Sequence, residues 1–269
     1  MSSVSQRNRA DYLHSKYGFS LFQVPDYRPA RRGEWRISTR MPSLSDGYLS
    51  GAILEERSVL TKGSKVWMSI GLLEKESHAW HVHCAKGVVV MAGLGMGMYA
   101  FAAAMKPEVE KVIVAEVSGE IIELMQESVN FADWPCRHKI KIIQVDALGP
   151  EFAEEVESIT QGRAVDYLYA DIWPNFPAKE APAQTSAMAL AIKPKAAGWW
   201  GQELSFADYC GRTQCPIGEL SLDAYFEELG VPSPDITEGY LIFCRDLMLT
   251  YEIGPQRSLG RWLRSIFWK

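Results

Sequence analysis

A run of closely spaced glycines and three carboxylates give this sequence its clearest chemical signal. The glycines are Gly93, Gly95 and Gly97, and the carboxylates are Glu116, Asp146 and Asp171. Without a Cβ, a glycine loop can turn sharply and bring its backbone close to a ligand. A helix that starts after such a loop offers free N–H groups to an anion or a nucleotide. The pattern predicts a nucleotide-type site, against the alternative of a tight turn that only packs a strand on a helix.

The segments around these residues predict a parallel sheet. Apolar runs with no polar alternation are typical of strands buried on both faces, and helical segments separate them here. The predicted strands are Gly87–Ala92, Val112–Val117, Ile140–Val145, Val165–Ala170 and Ala197–Gly201. The predicted helices between them are Met98–Met105, Ser118–Phe131, Glu151–Ile159 and residues 181–193. Doubly wound sheets bind ligands in the crevice at the carboxyl ends of their strands, and all three carboxylates fall there.

The position of each carboxylate indicates what it could contact. Glu116 ends the second strand, where it can accept hydrogen bonds from both hydroxyls of a ribose. Asp146 is followed by the small Ala147, a pair that can meet the exocyclic amine of an adenine. Asp171 follows the fourth strand. Each alone is more typical of a helix N-cap, but their ordered appearance with the glycine loop favours a ligand site.

Two kinds of nucleotide site compete. A dinucleotide fingerprint needs a third Gly or Ala at position 98, which is Met98. The segments GLGMG, VIVAEVSGEI, QVDAL and DYLYADIWP resemble instead the class I S-adenosylmethionine-dependent methyltransferase fold, most closely its spermidine-synthase-like branch, over residues 58–205. The resemblance implies an α/β fold, a Rossmann-like three-layer sandwich with a small N-terminal β subdomain, and S-adenosylmethionine as the cofactor.

The resemblance also implies roles for individual residues. Asp171 would act on the reacting group of the acceptor, as its orienting group or base. The cofactor would be held by Gly93, Gly95, Gly97, Glu116, Val117, Asp146 and Ala147. From their place near the end of the predicted fifth strand, Gln202 and Glu203 could contact the acceptor together with Trp173, or be solvated polar neighbours of a buried tryptophan pair.

The leading hypothesis for function is therefore methyl transfer from S-adenosylmethionine to a small-molecule or protein acceptor. An aminopropyltransferase using the decarboxylated cofactor is the first alternative, weakened because Pro174 stands where such enzymes carry a second aspartate. The segment DIWP also differs from the D/N-P-P-Y/F/W motif, which argues against a nucleobase acceptor. A non-catalytic cofactor-binding scaffold and, more distantly, a nicotinamide enzyme remain as further alternatives.

Other polar and aromatic residues leave two interpretations open. Trp199 and Trp200 could line an acceptor site, where their ring faces favour a cation, or form a buried pair. Glu74 and Glu76 could reach the crevice, but exposed helical glutamates are the expected arrangement. The histidines of the segment HAWHVH do not share one helical face, so no metal site is expected there.

The flanking regions carry weaker patterns. We expect an N-terminal arm at 1–33, a β-hairpin subdomain with a helix at 34–85, and a cofactor-binding domain with a C-terminal extension at 86–269. The predicted strands of the subdomain are Glu34–Thr39, Gly47–Leu54, Ser58–Leu60 and Lys65–Ile70, followed by a helix at 73–85. The extension is predicted to hold a helix at Leu220–Leu229, a strand at Tyr240–Arg245 and a basic aromatic helix at Ser258–Trp268.

Composition limits the partners and the compartment. The 269 residues carry 28 Lys and Arg against 33 Asp and Glu, a net charge of −5, which argues against a general nucleic-acid binder. The 5 cysteines have no C-x-x-C spacing and predict reduced thiols. With no signal peptide and no apolar stretch long enough to span a membrane, a cytoplasmic location and no membrane contact are expected. The resemblance suggests a homodimer.

Overall fold

The computed structural model describes residues 12–251 and contains two sheets. The first is a four-stranded antiparallel sheet and the second a five-stranded parallel sheet. The strands in chain order are β1 Ala30–Arg32, β2 Trp35–Ser45, β3 Ile53–Lys62, β4 Lys65–Ser69, β5 Gly87–Ala92, β6 Val109–Glu116, β7 Ile140–Gln144, β8 Tyr167–Ala170 and β9 Ala197–Trp199. The helices are α1 Leu72–Cys84, α2 Met98–Met105, α3 Gly119–Ser128, α4 Phe152–Thr160, α5 Ala181–Ile192, α6 Gln202–Thr213, α7 Glu219–Leu229 and α8 Glu238–Thr250.

The parallel sheet has the strand order β7-β6-β5-β8-β9. The chain therefore builds outward from β5 in one direction and then returns to build in the other, which leaves a switch point beside β5. β5 and β8 are buried almost throughout, because helices cover both faces of the sheet. The predicted strands and helices of this region are confirmed to within a few residues, and so is the predicted fold class.

The antiparallel sheet precedes the parallel one and covers its carboxyl edge. Its strands follow the order β1-β2-β3-β4, with Trp35 opposite Lys62 and Leu60 opposite Met68. Trp35 and Leu60 are buried in the same apolar core as Met91 of β5. The prediction of an extended segment at Gly47–Leu54 was wrong for most of its length, since β3 begins only at Ile53.

The C-terminal part differs from its prediction. Residues 240–245 lie inside the helix α8 and not in a strand. Thr237 caps this helix by accepting a hydrogen bond from the backbone N–H of Tyr240 at 3.2 Å. Tyr240, Phe243 and Leu247 are fully buried, a spacing of three and four residues that puts them on one helical face. An apolar stretch of this length does not by itself distinguish a strand from a buried helix.

The described part of the N-terminal arm packs on this helix. Residues 12–17 are helical, and the hydroxyl of Tyr17 donates a hydrogen bond to Asp246 Oδ2 at 2.6 Å. The predicted helix at Ser258–Trp268 lies outside the described residues, and the domain boundaries at 33/34 and 85/86 stay predictions. Within residues 12–251, no helix is long and apolar enough to cross a membrane.

Candidate functional site

A cavity of about 440 Å³ lies at the carboxyl edge of the parallel sheet, under the antiparallel sheet. Its walls include most of the residues that the sequence singles out. They are Gly93, Gly95, Glu116, Val117, Asp146, Ala147, Asp171 and Trp173. The loops after β5, β6, β7 and β8 therefore meet at one site, as expected for parallel strands that end at the same edge.

The glycine loop is shaped by close approaches of other backbone and side-chain atoms. Gly93 has a φ of 90°, and a Cβ there would lie 2.1 Å from the carbonyl oxygen of Asp171. Gly95 has a φ of 51°, and a Cβ there would lie 2.6 Å from Sδ of Met68 in the covering sheet. Gly97 does not line the cavity but caps the start of α2 with a φ of 75°. The loop therefore has no room for a side chain at either position, because the end of β8 and the side chain of Met68 pack directly on its backbone.

Glu116 ends β6 and is fixed by two backbone groups. Its Oε2 accepts from the N–H of Leu94 at 2.9 Å, and its Oε1 accepts from the N–H of Ser118 at 2.9 Å. These bonds tie the glycine loop to the start of α3. A carboxylate has about four acceptor positions, so the lone pairs left over remain available to hydroxyl groups of a ligand in the cavity.

Asp146 has a similar local anchor at the next strand. Its Oδ1 accepts a hydrogen bond from the N–H of Leu148 at 2.9 Å, which orients the carboxylate in the turn after β7. The cavity wall beside it is apolar and is formed by Val145, Ala147 and Ile172. This combination of a flat apolar wall and a carboxylate suits a planar ring that carries an amine.

Asp171 forms an ion pair that sequence reasoning missed. Its Oδ2 lies 3.2 Å from Nε2 of His78, while Nδ1 of His78 lies 2.7 Å from the carbonyl oxygen of Glu74. Both partners are hydrogen-bond acceptors when Asp171 is ionised, so both ring nitrogens must carry a proton. Burial lowers the pKa of His78, but Asp171 and Glu74 outweigh it and hold that pKa above its ordinary value.

Glu74 and Glu76 are buried, so the expectation of exposed glutamates was wrong. Glu74 lines the cavity beside Asp171. Burial raises the pKa of the Glu74 carboxyl to about 7, with His78 and the backbone of Ser69 opposing and Asp171 adding to the rise. Glu76 Oε2 instead accepts from the N–H of Tyr48 at 2.7 Å. The only sequence signal for Glu74 was its place one turn before His78 on the helix ahead of the glycine strand.

Tryptophans form much of the remaining wall. Trp173 and Trp200 contribute from the sheet side, and Trp35 and Trp67 from the covering sheet. The indole N–H of Trp173 donates to Gln184 Oε1 at 2.6 Å, and that of Trp200 donates to Ser77 Oγ at 2.9 Å. These hydrogen bonds hold the two rings in place in the wall of the cavity.

Gln202 and Glu203, predicted to contact the acceptor, do not line the cavity. Both are fully buried at the start of α6, on the far side of Trp200. Gln202 Nε2 donates to the hydroxyl of Tyr240 at 2.8 Å, and Glu203 Oε1 accepts from the hydroxyl of Tyr48 at 2.6 Å. Because both side chains are buried and engaged by these tyrosines, the structure does not place them at the cavity where the prediction put them. Trp199 is also in the core, which leaves Trp200 alone of the pair at the cavity.

The histidines of α1 do not converge on one point. His78 faces Asp171, His81 Nδ1 lies 2.9 Å from the hydroxyl of Tyr167, and the ring of His83 stacks on Trp80. Among residues 12–251, no group of three or more His, Cys, Asp or Glu side chains could hold a metal ion.

Comparisons with known proteins give distant structural similarities. No model of a protein family matches the chain, and no curated protein matches it either. A spermidine synthase from Thermotoga maritima has 15% identity and a TM-score of 0.37, with 66% of this chain aligned to 57% of that one. The methyltransferase domain of bacterial CtHen1 has 12% identity and a TM-score of 0.33, with 64% of this chain aligned to 79% of that one. A spermidine synthase in complex with the transition-state analogue AdoDATO has a TM-score of 0.36 at 15% identity, with 66% of this chain aligned to 56% of that one.

The chain thus spans a little over half the length of the solved spermidine synthases, at 57% and 56%. The evidence for the fold is in the chain itself: the strand order, the switch point beside β5 and the glycine loop between β5 and α2. The chain has a Rossmann-like α/β fold, preceded by an antiparallel sheet.

Proposed function

We propose that the protein is an S-adenosylmethionine-dependent methyltransferase that acts on a small-molecule or protein acceptor. The observation that carries this proposal is the cavity in which the glycine loop, Glu116, Asp146 and Asp171 meet. Its volume of about 440 Å³ falls within the usual range for sites that hold a cofactor or a small ligand.

The residues of the cavity fit this cofactor. The backbone of the loop at Gly93 and Gly95, which lines the cavity, would hold the methionyl part. Glu116 would accept hydrogen bonds from the ribose hydroxyls, and Asp146 with Ala147 would contact the adenine. When bound, the cofactor supplies a methyl group on a sulfonium that leaves as a neutral thioether.

The chain's own contribution to the transfer is orientation and proton control. Asp171 would orient the acceptor, because the contact of its Oδ2 with Nε2 of His78 and its place at the end of β8 hold the carboxyl in position. Trp173 and Trp200 would keep water from the reacting atoms. No step needs a group that moves far, since each side chain is already anchored by a hydrogen bond.

Calorimetry tests the proposal with S-adenosylmethionine and NAD⁺ as separate titrants. We expect saturable binding of S-adenosylmethionine and none of NAD⁺. Mass spectrometry of the supernatant from denatured protein gives a second, independent measurement, in which a copurified S-adenosyl nucleoside is expected. Failure of S-adenosylmethionine to bind would refute the proposal. Binding with no methylated product in any acceptor mixture would favour the non-catalytic scaffold.

One observation favours a second candidate, transfer of an aminopropyl group. Pro174 removes the carboxylate expected three residues after Asp171, but Glu74 brings a second carboxylate to the same cavity from α1. Two carboxylates and aromatic faces suit a cationic amine. A titration with decarboxylated S-adenosylmethionine separates the candidates: an aminopropyltransferase would bind this form at least tenfold more tightly than S-adenosylmethionine, and a methyltransferase would show the reverse.

A further inference from the structure

Asp171 and Glu74 both line the cavity, and they differ in the groups that hold their carboxyls in place. Asp171 is paired with His78 through Oδ2 at 3.2 Å. Glu74 lies on the first turn of α1, one helical turn before His78, and its side chain is only 7% exposed. Within residues 12–251, no side chain donates a hydrogen bond to the Glu74 carboxyl, which opens on the cavity instead.

This difference matters for proton transfer. The Oδ2 of Asp171 is already engaged by Nε2 of His78 at 3.2 Å, so this oxygen is not free to take a proton. The carboxyl of Glu74 is not hydrogen-bonded to His78, and its burial outweighs the opposing charge of that ring, so Glu74 accepts a proton more readily. Asp171 is therefore suited to hold an acceptor group, and Glu74 is suited to take a proton from it.

We propose that Glu74 is the general base of the transfer reaction and that Asp171, paired with His78, only orients the acceptor. The inference rests on the proposed function. In the step, Glu74 takes the proton from the attacking atom of the acceptor, whose freed electron pair forms the new bond to the methyl carbon. The bond from that carbon to sulfur breaks, and its electron pair stays on sulfur, which becomes a neutral thioether.

The groups around Glu74 act on its pKa in both directions, and burial decides the result. His78 faces it from α1, Asp171 from the end of β8, and the backbone of Ser69 from β4. Lys62 of β3, together with Glu116, Glu120 and Asp146, lines other parts of the same cavity. With its pKa raised to about 7, Glu74 is close to the pKa that suits a general base at neutral pH.

A sulfonium cation bound near the Glu74 carboxyl must favour the ionised form of that carboxyl and so expel its proton. Calorimetry of S-adenosylmethionine binding near pH 7, in phosphate and in Tris buffer, measures that proton from the buffer dependence of the heat. At a pH equal to its pKa, Glu74 is half protonated, so the wild-type protein should release up to about half a proton more than Glu74→Gln. The surface variant Glu154→Gln is the matched control and should release as much as wild type.

The same coupling makes affinity depend on pH. If the bound cation lowers the Glu74 pKa by about one unit, the Kd should tighten up to about tenfold between pH 5.5 and 8 in wild type, and not in Glu74→Gln. Carbon-13 NMR of glutamate-labelled wild-type protein gives a readout that needs no variant to fold. The Glu74 carboxyl should titrate near pH 7 in the free protein and at lower pH in the complex.

Each outcome decides the inference. Proton release that persists unchanged in Glu74→Gln would overturn it, as would a Glu74 carboxyl that titrates at its ordinary value near 4.5. S-adenosylmethionine binding with no excess proton release would refute the role of Glu74 and leave the proposed function intact. Absence of binding would refute the proposed function itself.

Discussion

Within residues 12–251, burial raises the pKa of two glutamates, Glu74 and Glu203, to about 7. The surroundings of these two side chains differ. Glu74 opens on the cavity at the edge of the sheet. Glu203 is fully buried behind Trp200 and does not line that cavity. The same desolvation penalty thus occurs once in a candidate active site and once in the core. A raised pKa alone does not identify a catalytic carboxyl, and access to a ligand must be added to it.

The surroundings of Glu203 indicate a structural role. Its Oε1 accepts from the hydroxyl of Tyr48, and the backbone carbonyl of Tyr48 in turn accepts from the hydroxyl of Tyr251 at 2.5 Å. The ring of Tyr48 also packs edge-on against Phe176, with centroids 5.6 Å apart. Glu203 therefore links the loop between β2 and β3 to α6, and it does so in surroundings that substrate does not reach.

Variants in the cavity and variants at Glu203 should differ most in their turnover. Asp171→Asn should lower turnover about 10²-fold, because its amide cannot hold His78 or a cationic acceptor group in position. Glu203→Gln should keep turnover within a few-fold. Formation of S-adenosylhomocysteine, with a cell extract as the source of acceptor, measures both. Cofactor affinity should change no more than a few-fold in Asp171→Asn, and an equal collapse of binding and turnover would contradict the assigned role.

Cofactor affinity gives the second contrast. Glu116→Ala should weaken binding of S-adenosylmethionine about 10- to 100-fold, since it removes charged acceptors for the ribose and leaves the N–H groups of Leu94 and Ser118 without their partner. Glu203→Gln should bind as wild type. Calorimetry at one pH measures both affinities. A wild-type affinity in Glu116→Ala would show that the ribose does not lie at the end of β6.

The sequence allowed the parallel sheet, and the cavity residues at the ends of its strands, to be predicted because both depend on local patterns. Buried parallel strands are continuous apolar runs, and their carboxyl ends necessarily meet at one edge. Gly93, Glu116, Asp146 and Asp171 each follow directly from such a strand end, so their positions needed no knowledge of distant contacts.

The side of the cavity formed by Glu74 and Asp171 depends on contacts that no local pattern encodes. His78 and Asp171 are 93 residues apart and meet only because α1 packs beside the end of β8. The burial of Glu203 could not be predicted locally either, because its partner Tyr48 lies 155 residues away in the chain. The helix α8 was mistaken for a strand because a short apolar run fits both periodicities.

The pH dependence of folding stability tests whether the pKa of Glu203 is raised in the core. The folded-state pKa of Glu203 lies near 7 and above its ordinary value of 4.5, so the folded state holds more protons than the unfolded state between these values. Its contribution is fully present below pH 4.5 and is lost as pH rises toward 7. Glu203→Gln should remove this loss and raise the stability at pH 8 by about 1–2 kcal/mol, less than the full linkage because the new amide adds an unpaired donor.

Denaturant unfolding at pH 5 and pH 8 measures the effect. The wild-type protein should lose stability between the two values, since Glu74 contributes in the same direction. Glu203→Gln should show a smaller loss, and Glu74→Gln should show a comparable reduction. An unchanged pH dependence in Glu203→Gln would mean that Glu203 is neutral, or paired, throughout this range.

Tyr48→Phe should have the smallest effect and tests whether the two regions are independent. The variant removes the hydrogen bond that Tyr48 donates to Glu203 Oε1, at a cost of about 1 kcal/mol in unfolding free energy at pH 5. Because this bond lowers the pKa of Glu203, its loss should move the carbon-13 titration midpoint of Glu203 upward. The midpoint of Glu74 should stay in place, since Tyr48 bonds to Glu203 and Glu76 and does not act on the Glu74 carboxyl. A joint shift of both midpoints would show one coupled network and would end the distinction between a catalytic and a structural glutamate.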